Sequence, residues 1–590
     1  MAALSSKSAK KSADEKPSST LAILSIAACF VLWASLFIYR SSVVAFDGER
    51  YFALFDDAMI SMRYAWNFSH GFGLVWNPGE YVEGYTNPLW TLVMSLPTSL
   101  FDKSGAVLAI QVLGVVLMLA NAYLVMLIAD HLFSGEVGQH GGLFRVLAFL
   151  CALSYYPLVY WTLMGMETGL LAVLLSLSVL SALRYVRDRK PAQGSLLSAS
   201  LGLAFLTRPD ALIFAVPVFA YAFFGTRKAF TPSHLLALVG PLALIVAGQE
   251  AFRWVYYGEL MPNTYTLKVT GWPLIERIEN GMGFVRPFLA EVWVLLILVG
   301  TALLFDFRKG KLLLAGVFAM ALVYQVWTGG DAWDRWRIFS PAMPLMLVLA
   351  AREIFRVVAA VSDTTGFRGF FERNPVVPRR HVPGLVSVVT VLAVLCVVNF
   401  RFLPEITMQR DMEDEELNEE RMSLALALER FTEPDATVGV VAAGTVPYYT
   451  GRPAIDFLGK MDPRIARLAP DLEDYWSPGE VLQPSRTTPK IVRPGHSKYD
   501  LEYSIKELKP TYVKSFDWHN QSVLDWAKNE YVRVNYVGDP KEVRWEEDKS
   551  VPWEEDKRVS LNLLRHSQEV RWDKVHAAVQ AGEASTETPK

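Results

Sequence analysis

Long apolar runs separated by short polar gaps fill the first two thirds of the chain. Eleven of them read as membrane-crossing helices, at about 20–40, 105–130, 143–163, 167–187, 195–207, 210–224, 233–252, 289–307, 311–328, 338–356 and 383–403. The runs 195–207 and 210–224 are short. They meet at Thr207-Arg208-Pro209-Asp210, where proline blocks the helix and two charges need water or partners. Segment 88–101 holds Pro97 and is too short to span, which fits a juxtamembrane or re-entrant helix. After about 404 the pattern changes. An acidic amphipathic helix, Met412 to Phe431, precedes β-rich runs at Thr437–Ala442, Tyr512–Phe516, Tyr531–Val537 and Val559–Leu564, with helical stretches between. The pattern predicts an α-helical polytopic membrane protein of about 11 transmembrane helices with a C-terminal extracytoplasmic α/β domain.

Composition agrees: of 590 residues, 52% are hydrophobic and 20% charged, and the net charge of -3 gives no reason to expect nucleic acid as a partner. Cys29, Cys151 and Cys396 each lie in an apolar run, so spacing supports neither a disulfide framework nor a zinc motif. Lys7, Lys10, Lys11 and Lys16 precede the first run, which is long for a signal peptide and reads as a retained span. Lys and Arg recur on alternate gaps: Arg184 to Lys190, Arg227-Lys228, Arg308 to Lys311, and Arg352 with Arg356, Arg368, Arg373, Arg379 and Arg380. An odd number of spans puts these inside and places 41–104, 253–288, 329–337 and the tail outside. The expected divisions are a disordered cytoplasmic 1–19, a transmembrane domain 20–403 with outer loop 41–104, an extracytoplasmic domain 404–575, and a disordered tail 576–590. Within the tail half, Trp545-Glu546-Glu547-Asp548-Lys549 recurs as Trp553-Glu554-Glu555-Asp556-Lys557, either a hairpin presenting tryptophans to sugar or a local duplication in a solvated loop.

Candidate chemistry concentrates in the first outer loop. Asp56 and Asp57 are adjacent carboxylates with a repulsion problem unless something uses their charge. Either is a candidate general base, with Asp56 the preferred one, while the other would orient it or bind a cation. The pair also suits a helix N-cap ahead of Ala58-Met59-Ile60, and both uses can hold at once. His70, Glu80, Glu83, Tyr85 and Asn87-Pro88 follow in a stretch rich in aromatics, Gly and Asn, a composition suited to a polyhydroxylated ligand. Arg253 and Lys268, near Pro262-Asn263-Thr264, would either snorkel to the interface or meet a lipid-linked phosphate. Gly329-Gly330-Asp331-Ala332-Trp333-Asp334-Arg335-Trp336-Arg337 puts two arginines on the outer side, where an anion or the local aspartates would hold them. His496 has no second His or Cys nearby, so its default is a structural or acceptor-contacting role. Asn67-Phe68-Ser69 and Asn520-Gln521-Ser522 fit a glycosylation sequon that is common by chance.

These blocks resemble a family. The acidic pair, Glu83-Gly84-Tyr85-Thr86-Asn87-Pro88-Leu89-Trp90, Leu206-Thr207-Arg208-Pro209-Asp210, Tyr256-Tyr257-Gly258, Pro262-Asn263-Thr264, the Gly-Gly-Asp…Arg block and Tyr448-Tyr449…Asp456…Gly459 are similar to membrane glycosyltransferases of the GT-C class. Within that class the likeness is to the terminal arabinofuranosyltransferases of mycobacterial cell walls and their bacterial relatives. The resemblance implies a GT-C-like fold. It implies a sugar donor on a polyprenyl phosphate and an acceptor glycan or glycoprotein of the cell envelope, at the outer face of the plasma membrane. It puts Asp56 or Asp57 at the class's catalytic aspartate. Under it Lys268, Arg335, Arg337 and Arg208 are candidates for the donor phosphate, and His70, Glu83, Tyr85, Asn263 and Asp331 for substrate contact. The residues themselves give no metal site and no cofactor beyond a divalent cation that the acidic pair could hold. Two rivals stand beside it: a flippase or transporter of lipid-linked sugar, which would show matching broken helices in two halves, and a non-catalytic wall-assembly protein in which the acidic pair only caps a helix.

Overall fold

The computed structural model describes residues 2–590 apart from 134, 138–139, 227–230, 306, 334, 363–381, 411–412, 472–492, 517–519, 537–558 and 588–590. The tryptophan repeat, Asp334, the Arg227-Lys228 pair and the basic residues Arg368 to Arg380 lie outside the described residues.

Helices occupy the apolar runs because their backbone groups must pair internally wherever lipid excludes water. Among the described residues six are long and apolar enough to cross a membrane: Ser19–Arg40, Lys103–Phe133, Thr168–Asp188, Pro209–Thr226, Pro232–Tyr257 and Lys309–Thr328. Three bent pairs would raise the number to nine: Gly141–Ser154 with Tyr156–Leu163 (56°), Leu274–Glu291 with Trp293–Phe305 (83°), and Val382–Val398 with Phe400–Ile406 (71°). Of the remaining expected spans, Pro191–Thr207 has only 17 residues. Met343–Ser362 buries Arg352 and Glu353, which pair with each other at 3.0 Å. Two of the bends are tied together by one side chain. Asn399, at the break after Val398, accepts from the Tyr156 amide (2.8 Å) and donates to the Ser154 carbonyl (2.9 Å), supplying the partners that the other break lacks. Pro88–Leu100 forms a helix of 13 residues, too short to span.

The first helix, Ala2–Arg40, begins well before its apolar part, where the sequence suggested disorder; the Ala-, Ser- and Lys-containing lead-in continues the helix. Outside the helical body, β1 (Val43–Val44) pairs antiparallel with β2 (Arg50–Tyr51). The C-terminal part opens with the helix Glu413–Phe431. Its six-stranded mixed sheet contains β3 (Val438–Val440), β4 (Ala454–Asp456), β5 (Tyr512–Val513), β6 (Tyr531–Tyr536), β7 (Val559–Leu564) and β8 (Ala584–Glu587), in the order β4-β3-β5-β7-β6-β8. β4 and β5 run parallel to β3, and the other pairings are antiparallel. Two strands were not expected. β4 has three residues, too few for an alternating pattern, and β8 lies in the stretch read as a disordered tail. β8 is weak in β-formers and is held by six-residue β6, whose free edge offers it a backbone partner.

The sheet is stitched to the segment 41–104 by polar groups of buried residues. Arg63 donates to the carbonyls of Trp76 (2.7 Å), Arg452 (2.8 Å) and Pro447. Asn77 exchanges two hydrogen bonds with the Ala454 backbone, at 2.8 and 3.1 Å, and so extends the β4 edge. Both sequon asparagines are used structurally: Asn67 donates to Val75 and Trp76 carbonyls, and Asn520 caps the helix Gln521–Glu530.

Candidate active site

The helix Asp56–Ser69 starts at the acidic pair, and its first turn sends the two carboxylates to different partners. Asp56 is buried and accepts from the backbone amides of Gly444 (3.1 Å) and Thr445 (2.9 Å), at the start of the short helix Thr445–Thr450. Gly444 is required by that approach, since a Cβ there would stand 2.0 Å from the Asp56 carbonyl oxygen. Asp56 therefore caps a helix, but one 388 residues away rather than its own. Asp57 keeps more exposure. Its Oδ1 accepts from Lys460 Nζ at 2.7 Å and its Oδ2 from Arg337 at 3.2 Å. These two cations hold its carboxyl far below the usual carboxylate range, against the opposing pull of burial. The pair does not act as one cation site. Asp56 is spent on amides and Asp57 on positive side chains, a setting that does not suit a divalent ion, and no group of three or more His, Cys, Asp or Glu among the described residues could hold one.

Arg337 is aimed by Asp331, which accepts from its Nε (3.0 Å) and Nη2 (2.8 Å) in a two-pronged contact. The loop that carries both begins with Gly329 and Gly330, each at φ +89°, a double left-handed step that only glycine takes without strain. Asp331 thus holds Arg337 in place. Lys268, on the helix Asn263–Val269, lies within electrostatic reach of Asp57, Asp331, Arg337 and Lys460. It makes no hydrogen bond or ion pair among the described residues. Burial, reinforced by Arg337, pulls its ammonium below the usual lysine value.

Lys460 was not among the residues singled out from the sequence. It follows β4, and Asp456 shapes its turn by accepting from the Leu458 (3.0 Å) and Met461 (2.9 Å) amides. Asn263 holds the same turn from the other side, donating to the Gly459 and Lys460 carbonyls at 2.9 Å each. Asn263 is therefore a support for Lys460. The only signal in the sequence was the Asp456…Gly459 block, which ends one residue short of it.

The other expected site residues lie apart or are spent internally. His70 stacks on Trp66 (4.1 Å) at the far end of the Asp56–Ser69 helix, about 20 Å from the acidic pair at the usual helical rise. Tyr85 is buried, with its hydroxyl 3.0 Å from that of Tyr257. Arg335 lies over Tyr160 (4.4 Å) and pairs with Glu405 (3.3 Å), because its neighbour Trp336 takes a left-handed φ of 53° and Arg337 then turns to Asp57. Arg208 is gripped by Asp210 (2.8 and 2.9 Å) and Glu167 (2.7 Å), and Glu167 also accepts from Asn87 (3.0 Å). Arg208 and Arg337 nonetheless line one cleft, with Thr168, Asp210, Phe214 and Ile338. Glu83 forms a buried ion pair with Arg253, at 2.5 Å. Breaking such a pair costs about 3–5 kcal/mol, so Glu83→Gln should lower the melting temperature. Thermal unfolding in nanodiscs checks that expectation.

Comparison with known proteins follows the same lines. Residues 86–248 match a family model described as dolichyl-phosphate-mannose-protein mannosyltransferase. Residues 409–553 match a domain of unknown function (DUF8728). The terminal beta-(1->2)-arabinofuranosyltransferase of Mycobacterium tuberculosis is 26% identical over 253 residues, which are 41% of this chain and 39% of that protein. The chain thus matches about two fifths of the length of that relative. Among solved structures, ArnT from Cupriavidus metallidurans bound to undecaprenyl phosphate aligns with a TM-score of 0.47 at 12% identity, over 72% of this chain and 85% of ArnT. The apo oligosaccharyltransferase of Archaeoglobus fulgidus aligns at 0.42 and 11%, over 73% of this chain and 64% of its own. The family match covers the Thr86–Trp90 and Leu206–Asp210 blocks of that likeness, and with the curated relative it supports reading the chain as a membrane glycosyltransferase of GT-C type.

Proposed function

We propose that this chain transfers a sugar, arabinofuranose in the first instance, from a polyprenyl-phosphate donor to a cell-envelope glycan or glycoprotein at the outer face of the plasma membrane. The observation that carries the reading is Asp57, a carboxylate between Lys460 and Arg337, with Lys268, which makes no hydrogen bond or ion pair among the described residues, close by. Arg337 is shared between Asp57 and Asp331 and Lys460 is held by Asp57, while Lys268 has no carboxylate partner among the described residues, which suits an arriving phosphate. In the reaction the bond between the anomeric carbon and the phosphate oxygen breaks, and the phosphate leaves with the electron pair. The acceptor oxygen bonds to that carbon and its proton passes to Asp57.

A carboxylate held between two cations is a weak base. Donor binding remedies this, because a phosphate that draws Lys268, Arg337 and Lys460 toward itself loosens their hold on Asp57 and raises its proton affinity. The order donor first, acceptor second follows. The cations then stay with the departing phosphate, and the carboxylate faces the positive charge that develops on the anomeric carbon. Asp56 serves as the anchor that fixes the helix carrying Asp57.

The test is turnover by purified protein in nanodiscs, with farnesyl-phosphoryl arabinofuranose and its mannose and galactose counterparts as donors. Release of farnesyl phosphate together with a new glycoside is the expected result. Movement of the intact lipid across the bilayer without cleavage would overturn the reading in favour of a flippase.

A further inference from the structure

His496 sits on a loop built to hold it over the charged group. Lys498 Nζ donates to the carbonyls of Thr266 (3.1 Å), Thr270 (2.9 Å) and Ala466 (2.8 Å), clamping the loop to the helix that carries Lys268. The Asp471 amide donates to the Ser497 carbonyl at 2.7 Å. Just before these ties, a Cβ built on Gly495 would stand 3.2 Å from Lys268 Cε, so the loop lies directly on the lysine stem. His496 is only 9% exposed, and its Nδ1 has no hydrogen-bond partner among the described residues. Leaving such a group unpaired costs about 1–3 kcal/mol, a cost that a ligand would remove. Its ring meets Trp333 edge-on at 6.2 Å, and Trp333 in turn meets Phe55, the residue before the acidic pair, at 4.7 Å.

The surroundings choose between ligand chemistries. Lys460, Arg493 and Lys268 face the ring, with Asp57 as the opposing charge, and burial together with the cations holds the imidazole neutral, at about 3. A neutral imidazole offers one donor and one acceptor, the complement of a sugar hydroxyl. A phosphate is better served by the nearby cations. The half-buried indole of Trp333 supplies the apolar surface that one face of a sugar ring requires.

We propose that His496 and Trp333 form the acceptor-sugar subsite, with Nδ1 hydrogen-bonded to an acceptor hydroxyl and the indole packed against the ring. This rests on the glycosyl-transfer reading and assigns acceptor choice in part to the C-terminal segment, since His496 belongs to it.

The experiment measures binding of octyl arabinofuranoside, octyl mannoside and octyl galactofuranoside to the full chain in nanodiscs, with farnesyl phosphate as the second ligand. His496→Ala should weaken the best-bound glycoside about tenfold, while His496→Gln, which keeps a donor and an acceptor, retains most of the affinity. Trp333→Ala should weaken the same glycoside. Farnesyl phosphate should bind all three variants within twofold of the unaltered protein. Unchanged glycoside affinity in His496→Ala, an equal loss for farnesyl phosphate, or no glycoside binding by the unaltered chain would each overturn the subsite. Absence of turnover with His496-dependent glycoside binding would instead overturn the transfer reading and leave the subsite standing.

Discussion

Asp57→Asn should lower sugar transfer by about 100-fold or more, the usual worth of a general base, while the protein stays folded. The amide keeps the shape and can still accept from Lys460 or Arg337, but it cannot take a proton at neutral pH. Asp56→Asn should fail differently. Each Asp56 oxygen accepts one backbone amide, at 2.9 and 3.1 Å, and an asparagine would turn its NH2 toward one of those N–H groups. The loss is about 1–3 kcal/mol of stability, read as a lower melting temperature. Transfer by the fraction that remains folded should be nearly normal. Rates normalised to folded protein, measured with farnesyl-phosphoryl arabinofuranose, separate the two. A severe rate defect in Asp56→Asn with Asp57→Asn near normal would exchange their roles, and near-normal rates in both would remove the loop from the chemistry.

Lys268→Ala should weaken binding of farnesyl phosphate about 10- to 100-fold, the equivalent of about 1.5–3 kcal/mol for a charged hydrogen bond. Its stability should hold or rise. A structural lysine loses partners when truncated, but this one has none among the described residues and sits beside Arg337, so its removal relieves repulsion and desolvation. Tighter folding with poorer binding is the signature of a group kept for a ligand. Arg337→Ala makes the contrast, because it deprives both Asp57 and Asp331 of a partner and should destabilise as well. Unchanged affinity in Lys268→Ala would place the phosphate elsewhere.

The helical body was legible because apolar runs of span length have one physical solution in a bilayer. Its span count was not, since bends such as the one joined through Asn399 leave no mark on hydropathy. The acidic pair stood out because adjacent carboxylates are costly, and Arg337 and Lys268 because they fall on segments that the charge bias assigns to the outside. What stayed hidden was pairing at a distance. Glu83 and Arg253 were each visible as a charge, but nothing local reveals that they meet across 170 residues. Lys460 was passed over for the same reason, an ordinary lysine in a turn until the fold brings it to Asp57. His70 and Tyr85 were grouped with the site by nearness in sequence. A 14-residue helix then carried one to its far end, and packing against Tyr257 buried the other.

The ion pair between Asp57 and Lys460 closes a span of 403 residues. A ribosome that has finished the whole helical body has still not made the lysine. Until the last third of the chain is synthesised and docked, Asp57 has no Lys460, Asp56 has no amides to hold, and His496 does not exist. A half-made chain would therefore lack the cluster on which the proposed reaction depends. On that proposal, completion of the chain, rather than arrival in the membrane, is the event that assembles the site.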